Sequence, residues 1–110
     1  MKVHLIHIRT IRLFIMQQPA SRTGMEEWIT KIKHADWRYP GDIAKTFKSA
    51  DLLGKGSNRV IFDVSGNHYR IICKYAFGEH QVHLFICWIG SHAAYDRLCK
   101  ENKQYSIHLY

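Results

Sequence analysis

From Asn58 onward the chain alternates with period two. Val60, Phe62 and Val64 fall on one side and Arg59, Ile61 and Asp63 on the other, as in a strand with one face turned inward. Ser65-Gly66-Asn67 has hairpin-turn composition, and the alternation resumes over His68 to Phe77. There Tyr69, Ile71, Cys73, Tyr75 and Phe77 share one face, while His68, Arg70, Ile72 and Lys74 share the other. Gly78-Glu79-His80 marks a second turn. The largely apolar run Gln81 to Ile89 then predicts a third, well-covered strand, completing an antiparallel meander.

Ahead of the meander the spacing is mostly helical. Val3, Leu5 and Ile8 permit a short strand leading into a helix over Thr10 to Gln18, which Pro19 ends. Thr23-Gly24-Met25-Glu26 has the form of a capping box and predicts the start of a second helix. Its residues Met25, Trp28, Ile29 and Ile32 form an apolar stripe, with Lys31 and Lys33 outward. A turn-rich stretch, Asp36 to Gly41, precedes a brief helical turn over Asp42 to Ser49, with Ile43 and Phe47 inward, and Gly54 to Ser57 reads as loop. After the last strand, Ser91 is placed to cap a terminal helix running to about Lys100. Residues 101–110 carry no pattern and leave room for a flexible tail.

These elements predict one α+β domain over residues 1–110: N-terminal helices packed on an antiparallel sheet of three to four strands, with a short C-terminal helix. The second sheet face of this two-layer arrangement is expected to be open.

Composition adds a partner class. Lys and Arg total 16 against 9 acidic residues, a formal charge of +7 before any of the 8 histidines is protonated, which favours a polyanion or an acidic protein. Cys73, Cys87 and Cys99 include no CxxC pair, so neither a disulfide framework nor a zinc ribbon is indicated and a reducing cytoplasm is expected. Histidines and arginines interrupt the opening apolar residues, so no signal peptide, membrane span or membrane partner is expected.

Three ordered segments carry a family likeness: Asn58-Arg59-Val60-Ile61-Phe62-Asp63-Val64, then Gly66-Asn67-His68-Tyr69-Arg70-Ile71-Ile72, then Trp88-Ile89-Gly90-Ser91-His92-Ala93-Ala94-Tyr95-Asp96. With Trp37 and Phe47-Lys48-Ser49-Ala50-Asp51 they resemble the HigB-type toxins of bacterial toxin–antitoxin modules, over roughly Trp28 to Leu98. The resemblance implies a RelE-like fold and an endoribonuclease (mRNA interferase) that cuts messenger RNA, often on the translating ribosome. It also implies inhibition by a HigA-like antitoxin carrying a helix-turn-helix.

The chemistry can be set out from RNA itself, whose 2′-hydroxyl is a built-in nucleophile. Cleavage needs a base for that proton, an acid for the leaving 5′-oxygen and cations for the phosphorane; no metal or cofactor is called for. Arg70 is assigned to the scissile phosphate because a guanidinium is a planar, permanently charged fork of donors, and it matches the family's G-N-x-Y-R pattern. His92 is the proton-transfer candidate, and Tyr95, one helical turn on, is expected to orient substrate or share that work. Arg59, His68 and Lys74 are candidate RNA contacts. Asp96 stays outside the catalytic set, as an exposed carboxylate more often pairs with nearby cations. Tyr75 alternates with Cys73 and Phe77 and is expected in the core. His80, His83 and Cys87 do not make a metal site on a strand, where residues three apart face opposite ways.

The bland alternatives are a solvated sheet cation for Arg70 and local hydrogen bonding or core capping for His92 and Tyr95. Two other function classes compete. A non-catalytic basic RNA-binding module would need Arg70 but not His92, and a docking face for an acidic protein would show no salt-sensitive affinity for RNA. No dense lysine cluster flanks the arginine, which favours geometry supplied by the ribosome over free-standing cleavage.

Overall fold

Residues 1–110 are described by a computed structural model. Strand β1 (Lys2–Ile6) leads through His7, in the left-handed region at φ 73°, into helix α1 (Ile8–Gln17). A 3-10 turn at Pro19–Ser21 joins it to α2 (Arg22–His34), and α3 (Gly41–Thr46) follows. Then come β2 (Asp51–Leu53), β3 (Arg59–Val64), β4 (Tyr69–Phe77), β5 (Gln81–Ser91) and α4 (His92–Lys100). No helix is long and apolar enough to cross a membrane.

The five strands form one sheet in the order β1-β5-β4-β3-β2. It is mixed rather than antiparallel throughout, because β1 pairs parallel to β5, the intervening chain making a long crossover. Strand β2 was not anticipated; three residues are too few for alternation to register.

The expected strand parity sets the main core. Val60, Phe62, Val64, Ile71 and Cys73 from one sheet face meet Ile11 and Ile15 of α1, Met25, Trp28, Ile29 and Ile32 of α2, and Trp37. Phe62 sits edge-on to Trp28 and Phe47, with centroids 5.3 and 4.9 Å away. Fully burying one such side chain contributes about 1.5–3 kcal/mol, so this face anchors the fold. Trp37 is wholly buried and its indole N–H donates to Thr46 Oγ1 at 2.9 Å, which satisfies its one polar atom.

Thr23 and Glu26 do not act as a capping box. Helix α2 begins two residues earlier, at Arg22, and its N-cap Ser21 instead donates its hydroxyl to the Gln18 carbonyl, because the 3-10 turn runs directly into the helix. Ser91 does cap α4, accepting from the Ala94 amide at 3.1 Å.

The opposite sheet face is not fully open. Ile61, Ile72, Cys87, Trp88 and Leu98 make a second, smaller core beneath α4. A β-bulge helps build it. Ile72 pairs with Trp88 but Cys73 pairs with Ile86, so Cys87 is an extra residue and joins Trp88 in the second core. The tail then returns across this face. Ile107 packs on the second core, the Leu109 amide donates to the Cys87 carbonyl at 2.9 Å, and Lys55 lies 4.8 Å over the Tyr105 ring.

Candidate active site on the second sheet face

The β3–β4 hairpin places the first charged pair. With Val64 opposite Tyr69, the four-residue turn Ser65 to His68 sets Asp63 directly across from Arg70 on the face shared with α4. Ser65 and Gly66 both take positive φ, 54° and 66°, which tightens the turn. Gly24 of α2 lies so close to this turn that a Cβ there would stand 2.1 Å from Ser65 Oγ and 2.9 Å from its amide nitrogen, so the helix backs the hairpin.

Arg70 is held on three sides. Its Nε lies 3.0 Å from Asp63 Oδ1, its Nη2 donates to Asn67 Oδ1 at 2.7 Å, and its guanidinium carbon sits 5.0 Å from the centre of the Tyr95 ring. The Nε is buried and the Asp63 contact lacks hydrogen-bond alignment, so that pair acts chiefly through charge. Nη1 has no partner in the protein and is not buried. The guanidinium is thus fixed in plane with one donor edge unspent, which is what binding an anion requires.

Gly90 lies opposite Arg70 on β5, and the Trp88 ring lies across it, so close that a Cβ would come within 2.5 Å of the indole. Trp88 in turn packs beside Tyr95 at 6.2 Å between centroids, so an aromatic floor supports the tyrosine on which Arg70 rests. Burial, above all, pushes the Tyr95 phenol well above its ordinary value, helped by the neighbouring Cys99 and Asp51 and opposed by Arg70. At neutral pH Tyr95 is an uncharged donor and stacking surface rather than a base.

His92 opens α4, one turn before Tyr95. Its backbone amide donates to the His68 carbonyl at 3.0 Å, tying the helix start to the hairpin turn. Its ring is 40% exposed, with Nε2 3.7 Å from Asp96 Oδ2 across the i,i+4 step and Nδ1 buried without a hydrogen-bond partner. His68 itself is exposed on the turn beside Asn67. Arg70, His92, Tyr95 and His68 therefore share one end of this sheet face.

The other two candidate contacts are elsewhere. Lys74 is exposed on the same face but four residues down β4. Arg59, opposite Lys74, is not an available cation. It is 5% exposed, and its Nη1 donates to the carbonyls of Gln104 and Ile107 at 3.3 and 2.6 Å, so its side chain clamps the tail. Its strand parity was readable, but nothing in residues 101–110 signals that the tail returns over it. Tyr75 packs against the main core, as its alternation implied.

Asp63 and Asn67 were missed as parts of the site, although a signal existed: a four-residue turn pairs positions 63 and 70, which the alternation already set on one face. The concavities of about 440 and 450 Å³ lie around Asp36 to Thr46 and along Thr23 to Lys31, away from Arg70. The arrangement is an open surface suited to a polymer more than a small-molecule cleft.

No individual curated protein matches the chain. A sequence model of the HigB_toxin family, described as the RelE-like toxic component of a toxin–antitoxin system, matches residues 21–98, which hold Arg70, His92 and Tyr95. That match spans well over half of the 110 residues, and with it the chain belongs to the HigB toxin family of RelE-like toxins, the partners of an antitoxin.

Proposed function

We propose that this toxin is an mRNA interferase, an endoribonuclease that cuts messenger RNA on the translating ribosome by attack of the RNA's own 2′-hydroxyl, and so inhibits translation. The 2′-oxygen bonds to phosphorus while the bond to the 5′-oxygen breaks, leaving a 2′,3′-cyclic phosphate and a free 5′-hydroxyl. The 2′ proton leaves to a base and the 5′-oxygen takes one from an acid.

The observation that carries this reading is the Arg70 guanidinium, locked by Asp63, Asn67 and Tyr95 with Nη1 free, at the same end of the sheet as His92. Arg70 neutralises the phosphorane, which a preorganised cation does without reorganising during the reaction. His92 moves a proton at Nε2, its exposed ring edge. Tyr95, kept neutral by burial, aims Arg70 and offers a hydroxyl donor. His68 and Lys74 contact the RNA backbone to either side.

One fixed arginine without a neighbouring lysine cluster supplies limited charge, which supports a ribosome that presents the RNA in reactive geometry. The proposed antitoxin is HigA-like, with a helix-turn-helix. Primer extension on a translated messenger RNA tests the function, with wild type, Arg70→Ala and His92→Ala, each with and without ribosomes. Discrete cuts that need ribosomes and disappear in both variants are expected. A folded wild type that binds RNA and makes no cuts would replace this reading with a non-catalytic RNA-binding module.

A further inference from the structure

Beyond the tail, the second sheet face ends in a row of rings. Strand β1 pairs parallel to β5 with His4 opposite His83, and Phe85 follows His83 on the same side of β5. The His4 and His83 centroids are 5.9 Å apart, and those of His83 and Phe85 are 6.4 Å apart with their planes inclined by 32°. His4 is exposed and the other two are half-buried, so every ring keeps surface for a ligand. Lys74, exposed, stands opposite Phe85 on β4, and Lys2, exposed, lies two residues before His4 on the same side of β1. Two carboxylates lie nearby: Glu79, exposed in the adjoining turn 3.9 Å from His80, and Asp36, which bridges to Lys2 through its backbone and takes the N-terminal amine.

We infer that His4, His83 and Phe85 form a stacking platform for unpaired RNA bases on the same sheet face as the cleavage site, across the tail from it. Three π-faces at intervals of about 6 Å between exposed ammonium groups match what single-stranded RNA needs: flat surfaces for bases and separate cations for phosphates. Alternation puts the platform on the face that carries Arg70. Lys74, at its border, is four residues from Arg70 along β4, roughly 13 Å, a distance that a few nucleotides span. The platform thus holds bases flanking the cut and gives the enzyme contact with sequence around the scissile bond. In this role it rests on the cleavage reading, but as an RNA site it is measurable without cleavage.

The test uses the full chain carrying His92→Ala, so that bound RNA is not cut. Fluorescence anisotropy compares a labelled single-stranded RNA of normal bases with an abasic strand of equal length. His83→Ala with Phe85→Ala is expected to weaken binding of the normal strand about tenfold or more and leave the abasic strand unchanged. His83→Tyr with Phe85→Trp, which keeps both rings, should restore affinity and guards against a folding defect in the alanine variant. Equal losses for both strands, no loss for either, or failure of the ring-preserving variant to restore binding would overturn the platform. Base-dependent binding in a protein whose wild type makes no cuts would leave the platform standing and remove the cleavage reading. Cleavage by the wild type, together with binding unaffected by the alanine variant, would do the reverse.

Discussion

Replacing Arg59 by methionine should free the C-terminal tail and leave the cleavage site intact. The guanidinium is buried, and its Nη1 serves two tail carbonyls, Ile107 at 2.6 Å and Gln104 at 3.3 Å. A hydrogen bond from a charged donor is worth about 1.5–3 kcal/mol net, and the longer of these two belongs at or below the bottom of that range. Methionine retains most of the apolar stem, and removing a buried charge returns part of its desolvation cost. The released carbonyls can turn to water, which limits the loss further. The balance is a destabilisation of about 2 kcal/mol, or a fall in Tm of roughly 8–12 °C for a domain of this size. Hydrogen exchange should show the Leu109 and Ile107 amides losing protection, since they bond to Cys87 and Lys103, while Ile72 and Ile86 in the sheet stay protected. RNA affinity should change by less than about twofold, below the resolution of a single lost phosphate contact. Unchanged stability and a protected tail, combined with a marked loss of RNA affinity, would refute the clamp and make Arg59 a substrate contact.

Asp63→Asn removes the charge that holds Arg70 Nε while keeping the side chain's shape, and should lower the single-turnover cleavage rate about tenfold, with Tm nearly unchanged. Equal rates would show that Asn67 and Tyr95 alone fix the guanidinium. Ser91→Ala deletes the acceptor for the Ala94 amide and should cost about 1 kcal/mol in urea melts, with the rate falling as the start of α4, and His92 with it, frays. The Arg38 amide and Lys45 hold the Asp42 carboxyl below its ordinary value of 3.8. Because the folded state binds that proton less tightly, the stabilisation is present above the ordinary value and disappears as pH falls through the lowered one. Asp42→Asn should therefore be less stable than wild type at pH 6 and converge with it as pH falls below the ordinary 3.8, as thermal melts across that range can check.

The meander was legible because each strand is long enough for alternation to declare its faces. Val60, Phe62 and Val64, and Tyr69, Ile71 and Cys73, all enter the main core on the side expected. The Ser91 cap was equally plain, since a hydroxyl before a helix has a defined acceptor role. What escaped depends on contacts distant in sequence. The parallel pairing of β1 with β5 joins residues 2–6 to 81–85, and no local pattern records a crossover of that length. The covering of the second face comes from a bulge at Cys87 and a tail whose residues lack periodicity, and it converts Arg59 from an apparent surface cation into a clamp. At the site, Arg70 was readable from strand parity and family likeness. The three groups that immobilise it come from a cross-strand pair, a turn amide and a helix one turn past His92, so their convergence is a property of the assembled fold.

The most direct test of the account is a messenger RNA carrying a single 2′-deoxynucleotide on the 5′ side of a mapped cut, translated in the presence of wild-type toxin. Attack by the RNA's own 2′-hydroxyl predicts that this one cut disappears while cuts at unmodified positions persist, each leaving a 2′,3′-cyclic phosphate. Cleavage continuing at the 2′-deoxy position would contradict the mechanism and require a nucleophile from elsewhere.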